Sequence, residues 1–580
     1  MFFHFLGLLM LRGFVLLFVV FVVYSTADLI CIDGVCENDA EAPEVEDLFL
    51  GKTFQYETSL QKLQRDSHTD KDLYGAFLGP SPIESCEMVD TNYELFTQFF
   101  TQDLNYINDD PFLSYLCGKQ TPPGSMPFAH RYGGLQFARW AELGDGRALS
   151  WGNIKPNGFS KLGDIHPFWE FQVKGSGITP YSRDGDGRAV LRSSIREYLG
   201  SWALHNLGVP TSLVAAIARE TTPSVVRDPF YDGNFVTEHA AVTLRISPTW
   251  LRFGSFQLLH KEGSEKAHRK LIGYTIDKFF PFLLNDGETG AQLFGARASP
   301  RASEICTHML NEIIIRTAKL VAHWKAHGFC HGVMNTDNMS VFGVTIDYGP
   351  FGFMDNYNPD WICNLSDDKG RYKFGTQESV AMWNVKQFAD SLAPYVSIPQ
   401  QVKALGDFFP QYKETYIQIM SRKLGFNPDV ALPIDETIVD SILEIITGID
   451  YHQFWRTLAT HMGSGTVPPT AVTDMLSEEN AKLFVAWWKF LDKRRELSNL
   501  SANEQRKSML KNNPIYVLRN HIAEKAIQDA NEGNFETVKT LRRILANPYT
   551  KDKKLTPEEQ KFFTSPPPPD ADPVRVSCSS

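Results

Sequence analysis

Residues 331–352 read HGVMNTDNMSVFGVTIDYGPFG, the stretch of this chain that is richest in candidate catalytic groups. It carries three side chains with hard oxygen donors, Asp337, Asn338 and Asp347, and the mainly apolar run 339–346 separates the last from the others. This run predicts a buried strand or hairpin whose ends place Asn338 and Asp347 near one point. Mg²⁺ binds few protein oxygens and takes further ligands from water and phosphate, so the pair is a candidate magnesium site. The alternative is an Asx-rich turn that binds no metal.

The same stretch resembles the metal-binding half of a protein-kinase active site, with one change. Kinases use a loop of the form H-R-D-x-x-x-x-N, followed by D-F-G, in which the Asn and the second Asp bind metal. Asn338 stands at the Asn, and the residues Asp347 to Gly349 stand at D-F-G. The position of the kinase base holds Val333, which cannot accept a proton. Asp337 is the neighbouring carboxylate that could replace it.

The composition is that of a folded globular protein. The 580 residues are 43% hydrophobic and 22% charged, and the net charge is −11 without a basic cluster. A nucleic-acid partner needs a Lys/Arg face, so the charge argues against one.

Two kinds of residue pattern, one typical of strands and one typical of helices, divide the chain. Short apolar alternations with Gly-rich turns predict a strand-rich lobe from about Phe112 to Gly273, and helical spacing predicts helices from about Tyr274 to Leu545. Apolar spacing over 309–324 predicts a helix that Gly328 ends. We expect an α+β, protein-kinase-like fold with two lobes. The expected divisions are a signal peptide or anchor (1–27), a linker and N-terminal extension (28–110), an N-lobe (111–273), a C-lobe (274–545) and a C-terminal tail (546–580). The last segment of this tail, with Pro566 to Pro569 and then 574–580, is expected to be extended.

The N-terminus predicts a secretory or membrane-anchored protein. The first 24 residues are almost wholly apolar, and small residues at 25 and 27 suit cleavage before Asp28, with an uncleaved anchor as the alternative. Any membrane contact would come through this segment. Cys31 and Cys36 could pair in an oxidising compartment, although the eight scattered cysteines do not form a disulfide framework. The sequon at Asn338 argues the other way, because a glycan there would destroy the candidate metal ligand.

A lysine and a glutamate supply the second half of the candidate site. In the predicted strand 169–174, Lys174 shares one face with Glu170 and Gln172. A helix over 192–199 could bring Glu197 against Lys174, as in kinases, where this pair holds the lysine beside phosphates. The alternative for Lys174 is a solvated surface charge.

Two Gly-Asp-Gly-Arg runs, 144–147 and 185–188, flank this strand. Glycines let backbone N–H groups approach phosphates, and an adjacent guanidinium binds two oxygens at once. Asp-Gly is also a common turn, so each run alone is weak. Arg245 and Arg252 are further cations, with packing or surface ion pairs as the alternative.

Together these stretches closely resemble the selenoprotein O family over roughly residues 50 to 580, as a cysteine-containing homologue. The matching segments are 132–137, 143–148, 174–183 with its continuation to Glu197, 331–355, 363–372 and the ending 578–580. The resemblance implies a kinase-like fold that binds ATP in a reversed orientation and transfers AMP to Ser, Thr or Tyr hydroxyls of proteins. The missing base at Val333 fits that activity.

The resemblance also implies roles for individual residues. Asp337 would be the proton acceptor, Lys174 and Glu197 would complete the catalytic set, and Asn338 and Asp347 would hold Mg²⁺ or Mn²⁺. Cys578 stands where some members carry selenocysteine, and a disulfide to Cys363 would act as a redox switch. The implied nucleotide-binding residues are Gly144, Gly146, Arg147, Lys174, Asp186, Gly187, Arg245, Arg252 and Asp347.

The sequence departs from the family pattern in two respects, and two alternative functions stay open. Leu135 and Ala138 replace the family's usual His and Gly. Eukaryotic members of the family are expected in the mitochondrion, which is therefore the alternative location, but the apolar leader is unlike a mitochondrial presequence. Ordinary phosphotransfer, with Asp337 as a displaced base, needs the same metal and cations. A non-catalytic scaffold that senses redox state through Cys578 is the other alternative.

Overall fold

The structure is a computed structural model that describes residues 73–99, 110–156, 161–427, 430, 432–462 and 467–578, and the backbone of three short strands before residue 56. The leader 1–27 lies outside the described residues, as do the side chains of Cys31 and Cys36, so those expectations remain predictions. Within the described part, no helix is both long and apolar enough to span a bilayer.

The strands are, in chain order, β1 (Cys31–Ile32), β2 (Val35–Cys36), β3 (Phe54–Gln55), β4 (Gly75–Phe77), β5 (Cys86–Thr91), β6 (Phe128–Gln136), β7 (Arg139–Gly144), β8 (Ala148–Ile154), β9 (Trp169–Lys174), β10 (Ala189–Val190), β11 (Leu213–Glu220), β12 (Val225–Arg227), β13 (Val236–Glu238), β14 (Ala240–Ser247), β15 (Phe329–Cys330) and β16 (Gly352–Phe353).

The helices are, in chain order, α1 (Tyr93–Phe99), α2 (Asp110–Leu116), α3 (Leu162–Ile165), α4 (Leu191–Asn206), α5 (Phe253–Lys261), α6 (Glu265–Phe279), α7 (Gly290–Leu293), α8 (Ala302–Ala326), α9 (Gln377–Ser391), α10 (Ile398–Leu405), α11 (Phe408–Lys423), α12 (Ile434–Ile445), α13 (Tyr451–His461), α14 (Thr470–Thr473), α15 (Glu478–Glu496), α16 (Ala502–Asn512), α17 (Asn520–Asn531), α18 (Glu536–Leu545) and α19 (Pro557–Thr564). Short 3₁₀ turns cover Pro281–Leu283, Thr336–Asn338 and Phe374–Thr376.

A ten-stranded antiparallel sheet positions the site. Its main path runs β4-β6-β8-β9-β14-β11-β5, with β3, β7 and β10 paired at the side. Strand β9 lies at the centre because Trp169, Phe171 and Val173 alternate along it and are buried. Each fully buried side chain of this size contributes about 1.5–3 kcal/mol. Lys174 ends this strand, so its ammonium projects from a rigid element.

Two helices position parts of the site. Helix α4 packs on β11 and presents Glu197 toward the end of β9. Helix α8 contains the predicted segment 309–324, and Gly328 follows it with φ +66°, the left-handed conformation that favours glycine at a helix end. The chain then enters the stretch that begins at His331. The prediction of this helix is confirmed, as is the α+β class.

The predicted lobe boundaries differ from the observed elements. Strands β4 and β5 lie before residue 111 and belong to the main sheet, while helices α5 and α6 begin before residue 273. The N-terminal extension therefore contributes strands to the sheet. The strand-rich region ends at Ser247 because the next segment turns directly into α5.

The prediction of a strand or hairpin over 339–346 is wrong, although the run is buried. It forms isolated bridges, Arg252 with Ser340 and Thr211 with Thr345. Further backbone bonds join it to distant segments, from the Val341 N–H to the Leu251 carbonyl and from the Phe253 N–H to the Met339 carbonyl, while the Gly343 N–H donates to the Ser340 carbonyl within the run. The run is an irregular buried segment because its partners come from elsewhere in the chain.

The C-terminal region contains one further helix, and the cysteines include a pairing that was not expected. Helix α19 lies within 546–580 and its Phe563 is buried, while 566–578, the segment expected to be extended, contains no helix or strand. Cys86 in β5 and Cys117 after α2 form a disulfide that the sequence pattern did not predict. This bond ties the edge strand β5 to the helix that precedes β6.

Candidate active site

A cleft of about 800 Å³ collects most of the predicted site residues. Its wall includes Lys174 from the end of β9, and Asn338 and Asp347 from the loop that follows α8. Glu197 and Arg252 do not line the cleft, and each is only 1% exposed. They support the residues that do. The predicted residues that line the cleft are Gly144, Gly146, Arg147, Lys174, Asp186, Gly187, Arg245, Asp337, Asn338, Asp347 and Cys578.

The predicted ion pair between strand and helix is present. Lys174 Nζ lies 2.7 Å from Glu197 Oε2, and the other carboxylate oxygen of Glu197 lies 2.9 Å from Arg245 Nε. Burial lowers the pKa of Lys174, and the nearby Glu197 carboxylate opposes that shift. One acid therefore fixes two cations beside the cleft.

Two arginines hold Asp347. Arg245 Nη2 donates to Asp347 Oδ1 at 2.5 Å, and Arg252 Nη1 donates to Asp347 Oδ2. Burial alone would raise the pKa of Asp347, but Arg252, Arg245 and Lys174 outweigh it and hold that pKa well below its ordinary range. Asp347 has φ +56°, an uncommon conformation for a residue with a side chain. Asp347 is thus a fixed, ionised carboxylate at the cleft wall.

Aromatic rings and polar groups orient the two arginines. The Arg245 guanidinium lies 4.2 Å from the Trp250 ring, and that of Arg252 lies 4.2 Å from the Tyr132 ring. Arg245 Nη1 also donates to Gln172 Oε1 at 2.8 Å. A planar guanidinium that is stacked and bonded on its edge keeps one orientation, so the cations are preorganised for an anion.

Asp337 differs from Asp347 in its surroundings. Its Oδ2 accepts from Gln136 Nε2 at 3.2 Å, while its buried Oδ1 accepts no hydrogen bond from any described residue. Burial raises the pKa of Asp337 to about 6, and the bond from Gln136 lowers it. A carboxylate with a free oxygen and a pKa near neutrality suits a proton acceptor.

The backbone of β6 approaches Asp337 closely. A Cβ on Gly134 would lie 2.2 Å from Asp337 Oδ1, so only glycine fits beside this carboxylate. Gly187, in the cleft wall, is another position that favours glycine, with φ +71° and a Cβ position 2.2 Å from the Gly177 carbonyl carbon.

The donor set suits a hard cation that completes its shell from phosphate. Asn338 Nδ2 donates to the Val333 carbonyl at 2.9 Å, which leaves its amide oxygen for a metal. Each Asp347 oxygen has a second lone pair beyond its arginine bond. Among the described residues, no cluster of three His, Cys, Asp or Glu side chains could hold a metal alone. Two protein oxygens still fit Mg²⁺, which commonly keeps several water or phosphate ligands.

The two Gly-Asp-Gly-Arg runs have different roles. Arg147, from the first run, lines the cleft. Arg188, from the second, donates to the carbonyls of Ser81 and Pro82, both at 2.8 Å, so its guanidinium is used within the protein. Asp186 binds Arg227 at 2.7 and 2.8 Å. Arg188 also lines the cleft, but its guanidinium is bonded to these backbone carbonyls, and the second run brings Arg227 to the cleft through Asp186.

Comparison with known proteins decides the family. Residues 67–546 match the family model described as "Protein adenylyltransferase SelO". The chain belongs to the SelO family. A "Protein nucleotidyltransferase YdiU" of Bordetella petrii is 37% identical over 510 residues, which cover 87% of this chain and 95% of that protein. Proteins of the same name from Aromatoleum aromaticum and Bordetella avium are 36% and 38% identical and cover 81% and 82% of this chain. This SelO-family chain is a nucleotidyltransferase.

The two cysteines expected to form a switch in this SelO-family chain are free thiols. Cys578 lines the cleft, and its Sγ lies 3.7 Å from Asn364 Oδ1. Asn364 directly follows Cys363 in the sequence. Cys363 is buried, with its Sγ 3.5 Å from the Cys330 carbonyl. Burial raises the pKa of both thiols. The structure places the two cysteines on neighbouring segments in their reduced forms.

Sequence reasoning missed several residues that hold this SelO-family site together. Asp145 accepts from Gln172 Nε2 at 3.0 Å and lies 3.9 Å from Arg252, and so links β7 to the arginines. Gly134 and Gln136 fix Asp337. The available signals were the segments 132–137 and 143–148, which contain these residues and carry the family resemblance, and the polar face of β9, where Glu170 and Gln172 alternate with the apolar residues. That face is buried, so its polar side chains required internal partners.

Proposed function

We propose that the chain transfers AMP from ATP to Ser, Thr or Tyr hydroxyls of proteins and releases pyrophosphate. The arrangement that carries this proposal is the linked set Lys174, Glu197, Arg245, Asp347 and Arg252, in which two acids hold three cations beside one cleft. The relatives are named protein nucleotidyltransferases, which supports this proposal.

In the proposed reaction, the acceptor oxygen forms a bond to the α-phosphorus and the bond from that phosphorus to the pyrophosphate oxygen breaks. Asp337 receives the hydroxyl proton through its free oxygen. Lys174, Arg147 and Arg245 neutralise the phosphate charge that grows on the leaving pyrophosphate. Asn338 and Asp347 would hold Mg²⁺ or Mn²⁺, which when bound would supply further charge neutralisation. Positioning and electrostatics account for most of the expected rate.

We also propose the two-lobed, kinase-like arrangement. The cleft is lined by Lys174 from the sheet and by Asp347 from the largely helical part of the chain, which supports it. A crystal structure with a non-hydrolysable ATP analogue tests both the two-lobed arrangement and the proposed nucleotide-binding residues. Phosphates bound away from Lys174 and Arg147 would contradict the proposed binding mode.

The decisive experiment compares ATP labelled at the α or the γ phosphate. The purified protein is incubated with candidate proteins and Mg²⁺, with and without EDTA. We expect α label on protein, no γ label, and loss of the signal with EDTA. Label from γ alone would indicate phosphotransfer, and ATP binding without label would indicate a scaffold. Asp347→Ala should abolish transfer, while Asp164→Ala, at an exposed carboxylate outside the cleft, is the matched control.

Redox regulation is a further proposal for this site. Cys363 and Cys578 would form a disulfide, losing two electrons and two protons to a thiol oxidant such as glutathione disulfide. The position of Cys578 in the cleft wall supports it. Assays at fixed glutathione ratios should show redox-dependent transfer in the native protein and none in Cys578→Ser. Equal dependence in both would contradict the switch.

Secretory or membrane-anchored location is proposed from the apolar leader. The Cys86–Cys117 disulfide supports an oxidising compartment. Fractionation of cells with N-terminal sequencing of the mature protein tests this. Recovery from mitochondria would favour the alternative.

A further inference from the structure

A second cavity of about 800 Å³ lies beside the nucleotide cleft. It is bounded by the turn between β6 and β7 on one side and by residues 366–371 on the other. A space of this size matches ordinary ligand sites, which range over about 300–1,000 Å³. Nothing in the proposed nucleotide chemistry uses this cavity.

Two side chains form a wall common to both cavities. Gln136 and Phe137 line the nucleotide cleft on one side and the second cavity on the other. Gln136 Nε2 donates to Asp337 Oδ2 at 3.2 Å, so the candidate proton acceptor is bonded to this wall. The second cavity therefore borders the place where an acceptor hydroxyl must arrive.

The turn that carries this wall is tied to the catalytic loop. The Phe137 N–H lies 3.2 Å from both Asn335 Oδ1 and the Tyr372 hydroxyl oxygen, and the Phe137 and Tyr372 ring centroids are 5.0 Å apart. Phe137 and Ala138 have φ +46° and +65°, an uncommon pair for residues with side chains. These bonds hold the turn in place, so the boundary between the cavities is a built feature.

The charges around the second cavity are mostly positive. Arg139, Lys369 and Arg371 line it, and no described carboxylate forms an ion pair with any of them; the Arg371 guanidinium lies over the Trp383 ring, 4.7 Å from its centroid. Asp367 is 1% exposed, and its carboxylate accepts from the backbone N–H groups of Arg371 and Tyr372 at 2.9 and 2.6 Å. Asp368 is the other carboxylate in the lining. Three cations thus face one available acid, in a chain whose net charge is −11.

We propose that this second cavity binds an acidic segment of the acceptor protein, next to the hydroxyl that is modified. The inference rests on the proposed AMP transfer and adds the class of its substrate. Arg139, Lys369 and Arg371 would pair with Asp or Glu side chains that flank the hydroxyl, while Gln136 and Asp337 meet the hydroxyl itself. Complementary charge at such a surface selects partners and speeds their encounter. Basic segments would be repelled.

Three synthetic peptides test this substrate class. They carry the same central Ser, Thr or Tyr, flanked by Glu, by Ala or by Lys, and receive label from α-labelled ATP. We expect kcat/KM for the Glu peptide to exceed that for the Lys peptide by about tenfold or more at low salt, with the gap narrowing as salt rises. Arg139→Glu/Lys369→Glu should reverse the order while the Kd for ATP changes less than about twofold, because neither side chain lines the nucleotide cleft.

The controls separate the possible failures. Lys403→Glu/Lys489→Glu changes the net charge equally at two exposed lysines on α10 and α15, and it should leave the peptide order unchanged. Equal rates for the three peptides, or an unchanged order in the Arg139/Lys369 variant, overturns this inference but leaves AMP transfer intact. Absence of α label on any peptide, on protein or on the enzyme itself overturns the proposed function and this inference together.

Discussion

Glu197 shows how single residues organise this site. Its buried carboxylate forms ion pairs with Lys174 and with Arg245, and Arg245 in turn forms an ion pair with Asp347. Removing one partner of a buried ion pair commonly costs about 3–5 kcal/mol, because the other charge loses its compensation. The positions of Lys174 and Arg245 at the cleft therefore depend on the buried carboxylate of Glu197. These cations are held in place before any phosphate binds.

Gly134 gives the sharpest test of Asp337. In Gly134→Ala the new Cβ would lie 2.2 Å from Asp337 Oδ1 and 2.7 Å from its Cβ, so the carboxylate must move. A misplacement of about 1 Å at a reacting group can reduce the rate about 100-fold. We expect AMP transfer to fall by this order while the Kd for ATP, measured by calorimetry, stays nearly constant.

Gly163→Ala is the matched control for that variant, since a Cβ at residue 163 meets no atom within 4 Å. It should retain full transfer. An unchanged rate in Gly134→Ala, with thermal unfolding as in the native protein, would mean that Asp337 does not receive the proton.

Lys423 predicts a pH dependence of stability. This residue ends α11, is 1% exposed, and has its ammonium 5.1 Å from the Tyr451 ring and 5.3 Å from the Trp455 ring, without an ion pair to a described carboxylate. Burial lowers the pKa of Lys423 to about 7. Between pH 7 and the ordinary lysine pKa, the unfolded chain binds this proton and the folded chain does not, so this residue makes stability rise with pH. Below pH 7 the folded protein carries the full cost of the buried charge.

Lys423→Met should remove that cost. We expect the variant to unfold several degrees higher than the native protein at pH 7, and the difference to shrink as the pH approaches about 10. Differential scanning calorimetry of both proteins over this range measures it. A difference that is independent of pH would show that packing, rather than the ammonium charge, separates the two proteins.

At the scale of elements, the sequence predicted those strands and helices whose formation depends on the residue pattern within the element itself. Strand β9 and helix α8 follow from side-chain alternation and helical spacing, and the pairing of Lys174 with Glu197 follows from a known strand and helix motif. The run 339–346 could not be predicted, because its backbone bonds go to residues such as Leu251 and Pro210, far away in sequence. Asp145 and Gly134 were missed for the same reason, since each acts through a partner that only the fold brings close.

The C-terminal segment is an element whose contacts can be removed cleanly. The Leu365 N–H donates to the Val576 carbonyl at 2.9 Å, and Ser577 Oγ donates to the Pro229 carbonyl, so residues 575–578 bridge two surface segments beside the cleft. Truncation after residue 572 should speed hydrogen exchange at the Leu365 amide, because that amide loses its acceptor. Mass spectrometry of exchanged peptides that cover 360–372 reads this out.

Truncation after residue 578 is the control, because it keeps every one of these contacts. Its exchange should match that of the full chain. Equal protection of Leu365 in both truncated proteins would show that the tail does not hold this segment in solution.

At the scale of the whole molecule, the first part of the chain is joined to the sheet by strand pairing and by one covalent bond. Strand β5 occupies an edge of the main path, where β11 is its one partner among the strands that the structure describes. Cys86 of β5 is bonded to Cys117, and the Ile83 N–H donates to the Cys117 carbonyl at 2.9 Å. An edge strand has one ladder of backbone bonds instead of two, so its attachment depends more on the disulfide.

Loss of that disulfide should destabilise the protein. The bond joins residues 31 apart in sequence, and closing a loop of about this length contributes about 3–4 kcal/mol in the chain-entropy estimate. We therefore expect Cys86→Ser/Cys117→Ser to unfold at a lower temperature than the oxidised native protein. Dithiothreitol should lower the Tm of the native protein to a similar value and leave the double variant unchanged. A native Tm that does not respond to dithiothreitol, together with two additional reactive thiols in the unfolded protein before reduction, would show that the bond is absent in solution. The apolar leader would then be the remaining feature that indicates an oxidising compartment.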